Sequence, residues 1–221
     1  MSDLDRSRLA IVIPAYNEAD TIQAVVESVA HLGQVFAVDD ASTDDTPLLA
    51  EEAGAIVVRK ACNQGYDAAL EAGFEAASLS DALAVITMDA DGQHRFADVE
   101  KISQQLLEGH ELVLGVRESK ARLAERIFAA VLYARWRIRD PLSGLKGYSM
   151  RLYRKEGFFD QRRSTGTELM VRALRRGVKA RQIPITVMPR ISEKPRFGST
   201  LRANLGILGS LMRVLPLVLR S

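Results

Sequence analysis

The sequence is poor in the residues that build disulfide frameworks and transition-metal sites. Cys62 is the only cysteine among the 221 residues, which excludes an internal disulfide and a cysteine-cluster zinc site. The three histidines, His31, His94 and His110, are scattered along the chain, so a histidine-rich metal site is not expected either.

Two common glycine motifs for nucleotides are also missing. The sequence contains neither G-x-G-x-x-G nor G-x-x-x-x-G-K-[ST]. The usual dinucleotide-binding and P-loop interpretations are therefore excluded.

No apolar run is long enough to cross a membrane. The longest charge-free stretch of the apolar tail, residues 203–212, has ten residues, whereas a spanning helix needs about 20. The N-terminus carries acids where a signal peptide needs basic residues, and its apolar run Leu9–Ala15 is short. We therefore expect a cytoplasmic chain.

The net charge of +2 hides an uneven distribution of charge. Residues 1–110 carry 6 basic and 20 acidic residues, whereas residues 111–221 carry 24 basic and 8 acidic residues. The acidic half is suited to a cation, and the basic half to phosphates, nucleic acid or an acidic lipid surface. The alternative is that solvated helix faces simply pair with each other. The length predicts a single domain at residues 1–200, followed by an apolar tail at residues 201–221.

Predicted strands and helices alternate through the first half of the chain. Short apolar runs predict strands at residues 9–13, 35–38, 55–58, 82–88 and 112–116. Helical spacing and capping residues predict helices at residues 20–33, 48–53, 67–77 and 97–108. This alternation predicts an α/β protein with a mainly parallel sheet that is covered by helices on both faces.

Polar residues follow the predicted strands at their carboxyl ends, which is where open α/β sheets bind ligands. These residues are Tyr16, Glu18, Asp39, Asp40, Asn63, Gly65, Asp89 and Asp91.

Asp89 and Asp91 form the strongest candidate for a metal site. In an extended segment, side chains two residues apart share a face, so both carboxylates can reach one cation. Mg²⁺ and Mn²⁺ prefer one or two carboxylates together with phosphate oxygens and water. Gln93 and His94 offer a further oxygen and nitrogen.

Tyr16 and the Asp39-Asp40 pair are candidates for holding a nucleoside. A base stacks on an aromatic ring, and a carboxylate accepts protons from base N–H groups or ribose hydroxyls. The alternative for Asp40 is helix capping in the following segment.

Residues 117–139 predict a basic amphipathic helix. They contain seven basic and two acidic residues, and an apolar stripe at Leu123, Ile127, Val131, Ala134 and Ile138. This helix is either packed on the core or lies in a membrane interface.

Seven ordered blocks resemble the family 2 glycosyltransferases of the GT-A fold. They are IPAYNE at 13–18, VDDASTD at 38–44, NQG at 63–65, DADGQH at 89–94, GVR at 115–117, RDPLSGLK at 139–146 and TEL at 167–169. The later blocks resemble dolichol-phosphate mannose synthase and related polyprenyl-phosphate glycosyltransferases. The resemblance implies a Rossmann-like GT-A fold and an inverting, Mg²⁺- or Mn²⁺-dependent transfer. The sugar would move from GDP-mannose or a UDP-sugar to a dolichyl or undecaprenyl phosphate.

The resemblance also implies roles for individual residues. The nucleoside would contact Pro14, Tyr16, Glu18, Val38 and Asp40. The metal and the donor diphosphate would be held by Asp89, Ala90, Asp91 and Gln93. The acceptor phosphate would contact Arg117, Arg139 and Ser143. Asp89, Asp91 and Arg117 are the implied catalytic residues.

The nature of the acceptor follows from a missing base. Relatives that use hydroxyl acceptors place a Glu-Asp pair where this chain has Glu168-Leu169. A hydroxyl needs a general base, whereas a phosphate is already anionic and needs only positioning by arginines. A lipid phosphate predicts a peripheral protein on the cytoplasmic face of an anionic membrane, held there by the basic helix and the tail. The tail is also a candidate contact for a membrane protein or a second copy of the chain.

Two departures from the family pattern bear on the acceptor. In the usual R-x-x-G-x-S-K stretch, the Arg and Lys positions hold Pro195 and Leu201, with Lys194, Arg196 and Arg202 as neighbouring substitutes. Tyr66 stands where a basic residue is common.

Three alternatives to transfer onto a lipid phosphate stay open or are disfavoured by the sequence. The first is a glycosyltransferase with a soluble or glycan hydroxyl acceptor. The second is a basic adaptor for nucleic acid or acidic membranes, and nucleic acid is disfavoured because the strand-end acids repel its phosphates. The third is a sugar-1-phosphate nucleotidyltransferase. Such an enzyme needs a Gly-rich basic loop after the first strand, and this sequence has Pro14-Ala15-Tyr16-Asn17-Glu18 there.

Overall fold

Seven strands form one mixed sheet in the part of the chain that the structure describes. The computed structural model describes residues 8–118, 122–189 and 200–219, and the side chains of residues 203–219 within the last segment. The strands are β1 (Leu9–Ala15), β2 (Gln34–Asp39), β3 (Ile56–Arg59), β4 (Ala84–Thr87), β5 (Leu112–Arg117), β6 (Lys146–Ser149) and β7 (Ala180–Ile185). The helices are α1 (Ile22–Val29), α2 (Thr46–Glu52), α3 (Tyr66–Ser78), α4 (Phe96–Leu107), α5 (Leu123–Trp136), α6 (Met150–Glu156), α7 (Glu168–Arg175) and α8 (Thr200–Leu219).

The strand order is β3-β2-β1-β4-β6-β5-β7. β1 to β4 pair in parallel, as does β5 with β7, whereas β6 runs antiparallel between β4 and β5. The predicted α/β class with a mainly parallel sheet is confirmed. The predicted strands coincide with β1 to β5, while β6 and β7 had no counterpart in the prediction.

The sheet buries apolar residues on both faces. One face carries an aromatic cluster in which Phe74 of α3 stacks on Phe159 with ring centroids 4.5 Å apart and meets Tyr148 of β6 edge-on. α3 approaches β1 so closely that a Cβ on Gly73 would lie 2.2 Å from Val12 Cγ1. The opposite face packs residues of α1, α2 and α4 against β1, β2 and β4. This layering fixes the carboxyl ends of β1 to β5 along one edge.

The basic helix predicted at 117–139 is shorter than expected, and its predicted apolar stripe is only partly buried. Arg117 is the last residue of β5, and the helix ends at Trp136 because Arg137 is left-handed with φ of 61°. The buried residues include Ala124, Phe128 and Leu132, one position after the predicted stripe. Leu123 and Ile127 of that stripe are 66% and 40% exposed. The N-terminal part of the predicted stripe therefore faces outward, whereas Val131 packs against the core and Ile138 is buried.

The tail forms α8, a single helix that packs on α5 and α7. Its buried face contributes Leu211, Val214, Leu217 and Val218 to the same core as the aromatic cluster. In the described ranges, no helix has both the length and the hydropathy that a membrane crossing requires.

Candidate active site

The loops after β1 and β2 are fastened to each other beside the predicted nucleoside site. Asn17 Oδ1 accepts the Thr43 N–H at 2.8 Å, and the Asn17 N–H donates to Ser42 Oγ at 3.0 Å. The Glu18 N–H donates to Thr46 Oγ1 at 2.8 Å. These bonds hold the two loops in place without a ligand.

The residues predicted to contact the nucleoside lie together at this edge. Pro14 and Val38 are register partners at the ends of β1 and β2, and both are buried. Tyr16 follows β1 with 46% of its surface exposed, which leaves a ring free for stacking. Glu18 is buried, and its carboxylate accepts the Thr21 hydroxyl at 3.3 Å.

Asp40 organises the neighbouring loop and does not cap α2. Its carboxylate accepts the N–H groups of Gln64 at 3.0 Å and Gly65 at 2.7 Å, and lies 2.7 Å from Lys60 Nζ. A carboxylate offers about four acceptor positions, so these contacts leave little of it for a ligand. The helix-capping interpretation is wrong, since α2 begins after Asp45.

Asp89 and Asp91 follow β4 at the middle of the same edge. Asp89 is partly exposed, and its Oδ2 lies 3.6 Å from His94 Nε2. Asp91 is 2% exposed, and its Oδ1 accepts the Gln93 N–H at 3.2 Å. The Ala90 carbonyl accepts the Thr21 hydroxyl at 2.7 Å, which ties this loop to the start of α1.

Two observations bear on whether these residues fit a divalent cation. Both ring nitrogens of His94 are buried beside Asp89 without a hydrogen-bond partner, which leaves them open to a ligand or its water. Among the described residues, no group of three His, Cys, Asp or Glu side chains is arranged to bind a metal by itself. The donor set therefore suits a cation that takes its remaining ligands from phosphate and water.

Gln93 is committed to a neighbouring segment. Its Nε2 donates to the Met188 carbonyl at 3.0 Å, and its own carbonyl accepts the Met188 N–H at 2.9 Å. Of its side chain, the amide oxygen is the atom with metal-binding chemistry.

The three residues predicted to bind the acceptor phosphate differ sharply in exposure. Arg117 donates from Nε and Nη2 to Asp140 at 2.7 and 2.9 Å, and Nη2 also lies 3.4 Å from Glu125. Ser143 is fully buried, and its hydroxyl accepts the Leu145 N–H. The side chain of Arg139 is exposed. A phosphate at Arg117 must therefore compete with two carboxylates.

Two buried charged residues of the site were missed by the sequence analysis. Lys146, at the start of β6, donates to the Gly166 carbonyl at 2.9 Å. Its burial lowers its pKa to about 8, although the charges of Asp140, Asp89 and two further aspartates oppose this shift. Asp67 of α3 accepts the N–H groups of Thr165 and Gly166. Lys146 begins a short strand without an apolar run, so no sequence signal points to its burial.

Asp67 predicts a measurable pH dependence of stability. Burial and the Asp160 charge raise its pKa from 3.8 to about 6, against the effect of its two backbone hydrogen bonds. A raised pKa in the folded state contributes stability that is complete below pH 3.8 and is lost as the pH rises through 6. We expect the free energy of unfolding of the wild type, relative to Asp67→Asn, to rise by up to about 3 kcal/mol from pH 7 to pH 4. Urea unfolding at both pH values measures it, and parallel pH profiles would contradict it.

The carboxylate of Glu168, which stands where relatives have the Glu of the Glu-Asp pair, is surrounded by hydrogen-bond donors. It is 1% exposed and accepts the N–H groups of Gln161 and Arg162, the Arg162 guanidinium and the Arg172 guanidinium. Leu169 beside it is buried in the core. Neither residue offers a free base at this position.

The fold is that of the GT-A glycosyltransferases. The structure of glucosyl-3-phosphoglycerate synthase from Mycobacterium tuberculosis with Mn²⁺ and UDP-glucose superposes with a TM-score of 0.73 at 23% identity, over 95% of this chain and 81% of that one. Other structures of that enzyme hold Mn²⁺ or Mg²⁺ together with UDP. The predicted GT-A fold is thereby confirmed.

The sequence profile of glycosyl transferase family 2 matches residues 10–171. The chain therefore belongs to glycosyl transferase family 2, and the resemblance seen in the sequence blocks is confirmed.

Relatives within the family differ in their assigned activities. An uncharacterized protein of Methanocaldococcus jannaschii is 30% identical over 84% of this chain and 83% of its own length. The glycosyltransferase AglJ of Haloferax volcanii is 31% identical over 82% of this chain and 63% of its own length. The polyprenol monophosphomannose synthase of Mycolicibacterium smegmatis is 29% identical over 50% of this chain and 45% of its own length.

The departing R-x-x-G-x-S-K stretch at residues 195–201 and its basic neighbours lie largely outside the described part of the chain. Lys194, Pro195 and Arg196 lie outside the described residues, as does the side chain of Leu201. The side chain of Arg202, the third neighbouring substitute, also lies outside them. Tyr66 is half-buried at the start of α3.

Proposed function

We propose that this glycosyltransferase moves a sugar from a nucleotide diphosphate to a polyprenyl phosphate, with inversion at the anomeric carbon. The observation that carries the proposal is the absence of a free base at Glu168-Leu169, because a phosphate acceptor is the one that needs none. The polyprenyl-phosphate enzymes among the relatives support the same acceptor.

The donor would bind across the loops after β1, β2 and β4. Tyr16 would stack on the base, with Pro14, Glu18, Val38 and Asp40 around the nucleoside. Asp89 and Asp91, with the Gln93 amide oxygen, would hold a Mg²⁺ or Mn²⁺ ion. When bound, this ion supplies positive charge that stabilises the departing diphosphate.

The transfer step exchanges one bond for another at the sugar. An acceptor phosphate oxygen forms a bond to the anomeric carbon from the face opposite the donor diphosphate. The bond from that carbon to the diphosphate breaks, and the nucleoside diphosphate leaves with the electron pair. No proton has to be removed from the acceptor, so the chain supplies position and charge.

The test is a competition between acceptors. The protein is incubated with Mn²⁺, GDP-mannose or UDP-glucose, and equal amounts of a prenyl phosphate, an oligosaccharide and 3-phosphoglycerate. Mass spectrometry should find a glycosylated prenyl phosphate that disappears on addition of EDTA. Product only on the oligosaccharide or on 3-phosphoglycerate would refute the lipid-phosphate acceptor. The second of these outcomes is the one that the structural neighbours favour.

Gly144 offers a direct test of the cation site. A Cβ at this position would lie 2.3 Å from Asp89 Oδ2, so the carboxylate must move away in Gly144→Ala. Because that atom ends a side chain, the fold should survive while Mn²⁺ affinity, measured by calorimetry, falls about tenfold or more. Gly147→Ala is the contrasting variant, since its Cβ meets Ile102 and Leu106 at 2.8 Å and should cost stability without moving Asp89. Unchanged Mn²⁺ affinity in Gly144→Ala would contradict the site.

We further propose that the protein works at an anionic membrane surface on its cytoplasmic side. The N-terminal part of the predicted stripe on α5 exposes Leu123 and Ile127, and α8 exposes Leu205, Met212 and Leu219. Exposed arginines flank these side chains on α5, and the Arg137 guanidinium lies over the Tyr133 ring. Apolar and basic groups on one surface are typical of interfacial helices, and two such contacts are needed for stable attachment.

Sedimentation with vesicles tests the membrane surface. We expect binding to vesicles that contain an anionic lipid at low salt, and weaker binding at high salt. The double variant Leu123→Gln/Ile127→Gln should bind less, whereas Leu83→Gln, an exposed leucine before β4, should bind as the wild type does. Equal sedimentation of all three proteins, or none by the wild type, would refute the surface.

A further inference from the structure

A large cavity lies beside the candidate site and is lined by none of the residues assigned to the donor or the cation. Its volume is about 1330 Å³, and it opens between α3, the segment at residues 157–165 and α8. This exceeds the roughly 300–1,000 Å³ of ordinary small-molecule pockets. It has room for more than a small polar acceptor.

Small and apolar residues form two walls of the cavity. α3 contributes Ala68 and Ala72, and α8 contributes Ala203, Gly206 and Ile207. A glycine inside a helix costs about 1 kcal/mol relative to alanine. A Cβ on Gly206 would meet no protein atom within 4 Å, so no contact within the described protein requires the glycine. The glycine keeps the cavity open.

Three of the four acidic residues of the lining accept backbone hydrogen bonds, and the fourth, Glu75, is exposed. Asp67 accepts the N–H groups of Thr165 and Gly166, and Glu71 accepts those of Phe159 and Asp160. Their negative charge is therefore partly balanced by backbone dipoles.

Two arginines of the lining lie close together without a counter-charge. Arg213 Nη1 donates to the Arg163 carbonyl at 3.0 Å. Among the described residues, no carboxylate lies within ion-pair distance of Arg163 or Arg213, in contrast to Lys60 at the other end of the cavity. An arginine that is not paired with a carboxylate can donate to a phosphate.

The backbone beside these arginines is strained and held in place. Arg163 and Thr165 have φ values of 55° and 57°, a conformation that a β-branched residue rarely adopts. The Thr165 and Ser210 hydroxyls are 2.8 Å apart, which ties the segment to α8. Strain of this kind persists where the surroundings enforce it and is concentrated at functional sites.

Lys146 connects the cavity to the candidate cation site. Its ammonium group donates to the Gly166 carbonyl. The negative charges of Asp67, which lines the cavity, and of Asp89 both act to raise the pKa of Lys146. Lys146 thus contacts the segment that borders the cavity, at Gly166.

We propose that this cavity binds the acceptor, with its phosphate against Arg163 and Arg213 and its first isoprene units along the wall of α3 and α8. The inference rests on the proposed function and moves the acceptor phosphate from Arg117, whose guanidinium is neutralised by Asp140 and Glu125, to the α8 side. α8 then forms part of the acceptor site and is more than an attachment to the membrane.

Direct binding tests the inference independently of transfer. Farnesyl phosphate serves as a soluble prenyl phosphate, and glycerol 3-phosphate as a phosphate without an apolar chain. We expect Gly206→Leu, which adds a branched side chain to the wall of the cavity, to weaken the binding of farnesyl phosphate about tenfold and to leave the binding of glycerol 3-phosphate unchanged. Arg213→Gln should lower the affinity for both probes about tenfold, because it removes a charge-assisted hydrogen bond to the phosphate. Gly206→Ala should lower the affinity for farnesyl phosphate less than Gly206→Leu does.

Matched controls carry the same changes elsewhere. Ala24→Leu adds a leucine on the exposed face of α1, and Arg175→Gln removes an exposed arginine of α7 outside the cavity. Both should bind the probes and UDP or GDP as the wild type does. Thermal unfolding confirms that each variant is folded.

The outcomes separate this inference from the proposed function. If Gly206→Leu binds farnesyl phosphate as tightly as the wild type does, the cavity is not the acceptor site, even if transfer to prenyl phosphates succeeds. The same conclusion follows if Arg139→Gln alone loses affinity for farnesyl phosphate. Wild-type protein that binds glycerol 3-phosphate but not farnesyl phosphate would also overturn it. Failure of transfer in the acceptor competition, with the binding pattern intact, would instead refute the proposed function.

Discussion

Asp89→Asn should lower the rate of sugar transfer by about 100-fold or more, because it removes half of the anionic charge that would hold the cation. Asparagine keeps the shape of the side chain and its contact distance to His94, so the change is one of charge. Initial rates with saturating donor in Mn²⁺ measure the effect on transfer. Calorimetry of the nucleoside diphosphate, with and without Mn²⁺, should show that the metal no longer strengthens binding.

The matched control for Asp89→Asn is Asp20→Asn. Asp20 is an exposed aspartate in the loop between β1 and α1, at the same edge of the sheet. We expect its variant to transfer sugar at the wild-type rate. Near-normal transfer by Asp89→Asn in Mn²⁺ would contradict a cation bound at Asp89. Slow transfer by both Asp89→Asn and Asp20→Asn would instead attribute the effect to the total negative charge at this edge of the sheet.

The first five strands could be predicted because each is an uninterrupted apolar run. β1 and β2 are buried along almost their whole length, and such runs leave no choice of face. Their order along the chain then placed Asp40, Asp89 and Asp91 at one edge, because parallel strands end on the same side. The candidate site was therefore found from topology.

β6 and β7 escaped prediction because their sequences carry no strand pattern. β6 begins with Lys146, which is buried only because the Gly166 carbonyl and several aspartates surround it in the folded chain. β7 contains Pro184, which is tolerated because the strand lies at the end of the sheet. Both strands depend on partners that are distant in sequence.

The buried face of α5 was left open by the sequence because the helix is apolar on two sides. Leu123 and Ile127 share one side, and Phe128 and Leu132 share the other. Periodicity cannot choose between two apolar stripes that differ by one residue. The choice is made by packing, which the sequence does not show.

The role of Asp40 could not be predicted either, because it depends on a tertiary contact. Its partners Gln64 and Gly65 are 24 and 25 residues away, in the loop before α3. That loop also borders the cavity proposed for the acceptor. Asp40 thus joins the donor side of the site to the acceptor side, and a change at either end should be felt at the other.

The largest loss of stability should come from Asp140→Ala. Asp140 is 1% exposed and makes two hydrogen bonds to the Arg117 guanidinium and one to the Arg117 N–H. Removing one partner of a buried pair leaves an uncompensated charge, which typically costs about 3–5 kcal/mol. Glu125 remains beside Arg117, so we expect the lower part of this range, measured by urea unfolding. The double variant Asp140→Ala/Arg117→Met should recover much of the loss, because it removes the orphaned charge. If the double variant is as unstable as the single one, Asp140 stabilises the protein through the backbone of β5, and the unpaired charge of Arg117 is not the cause of the loss.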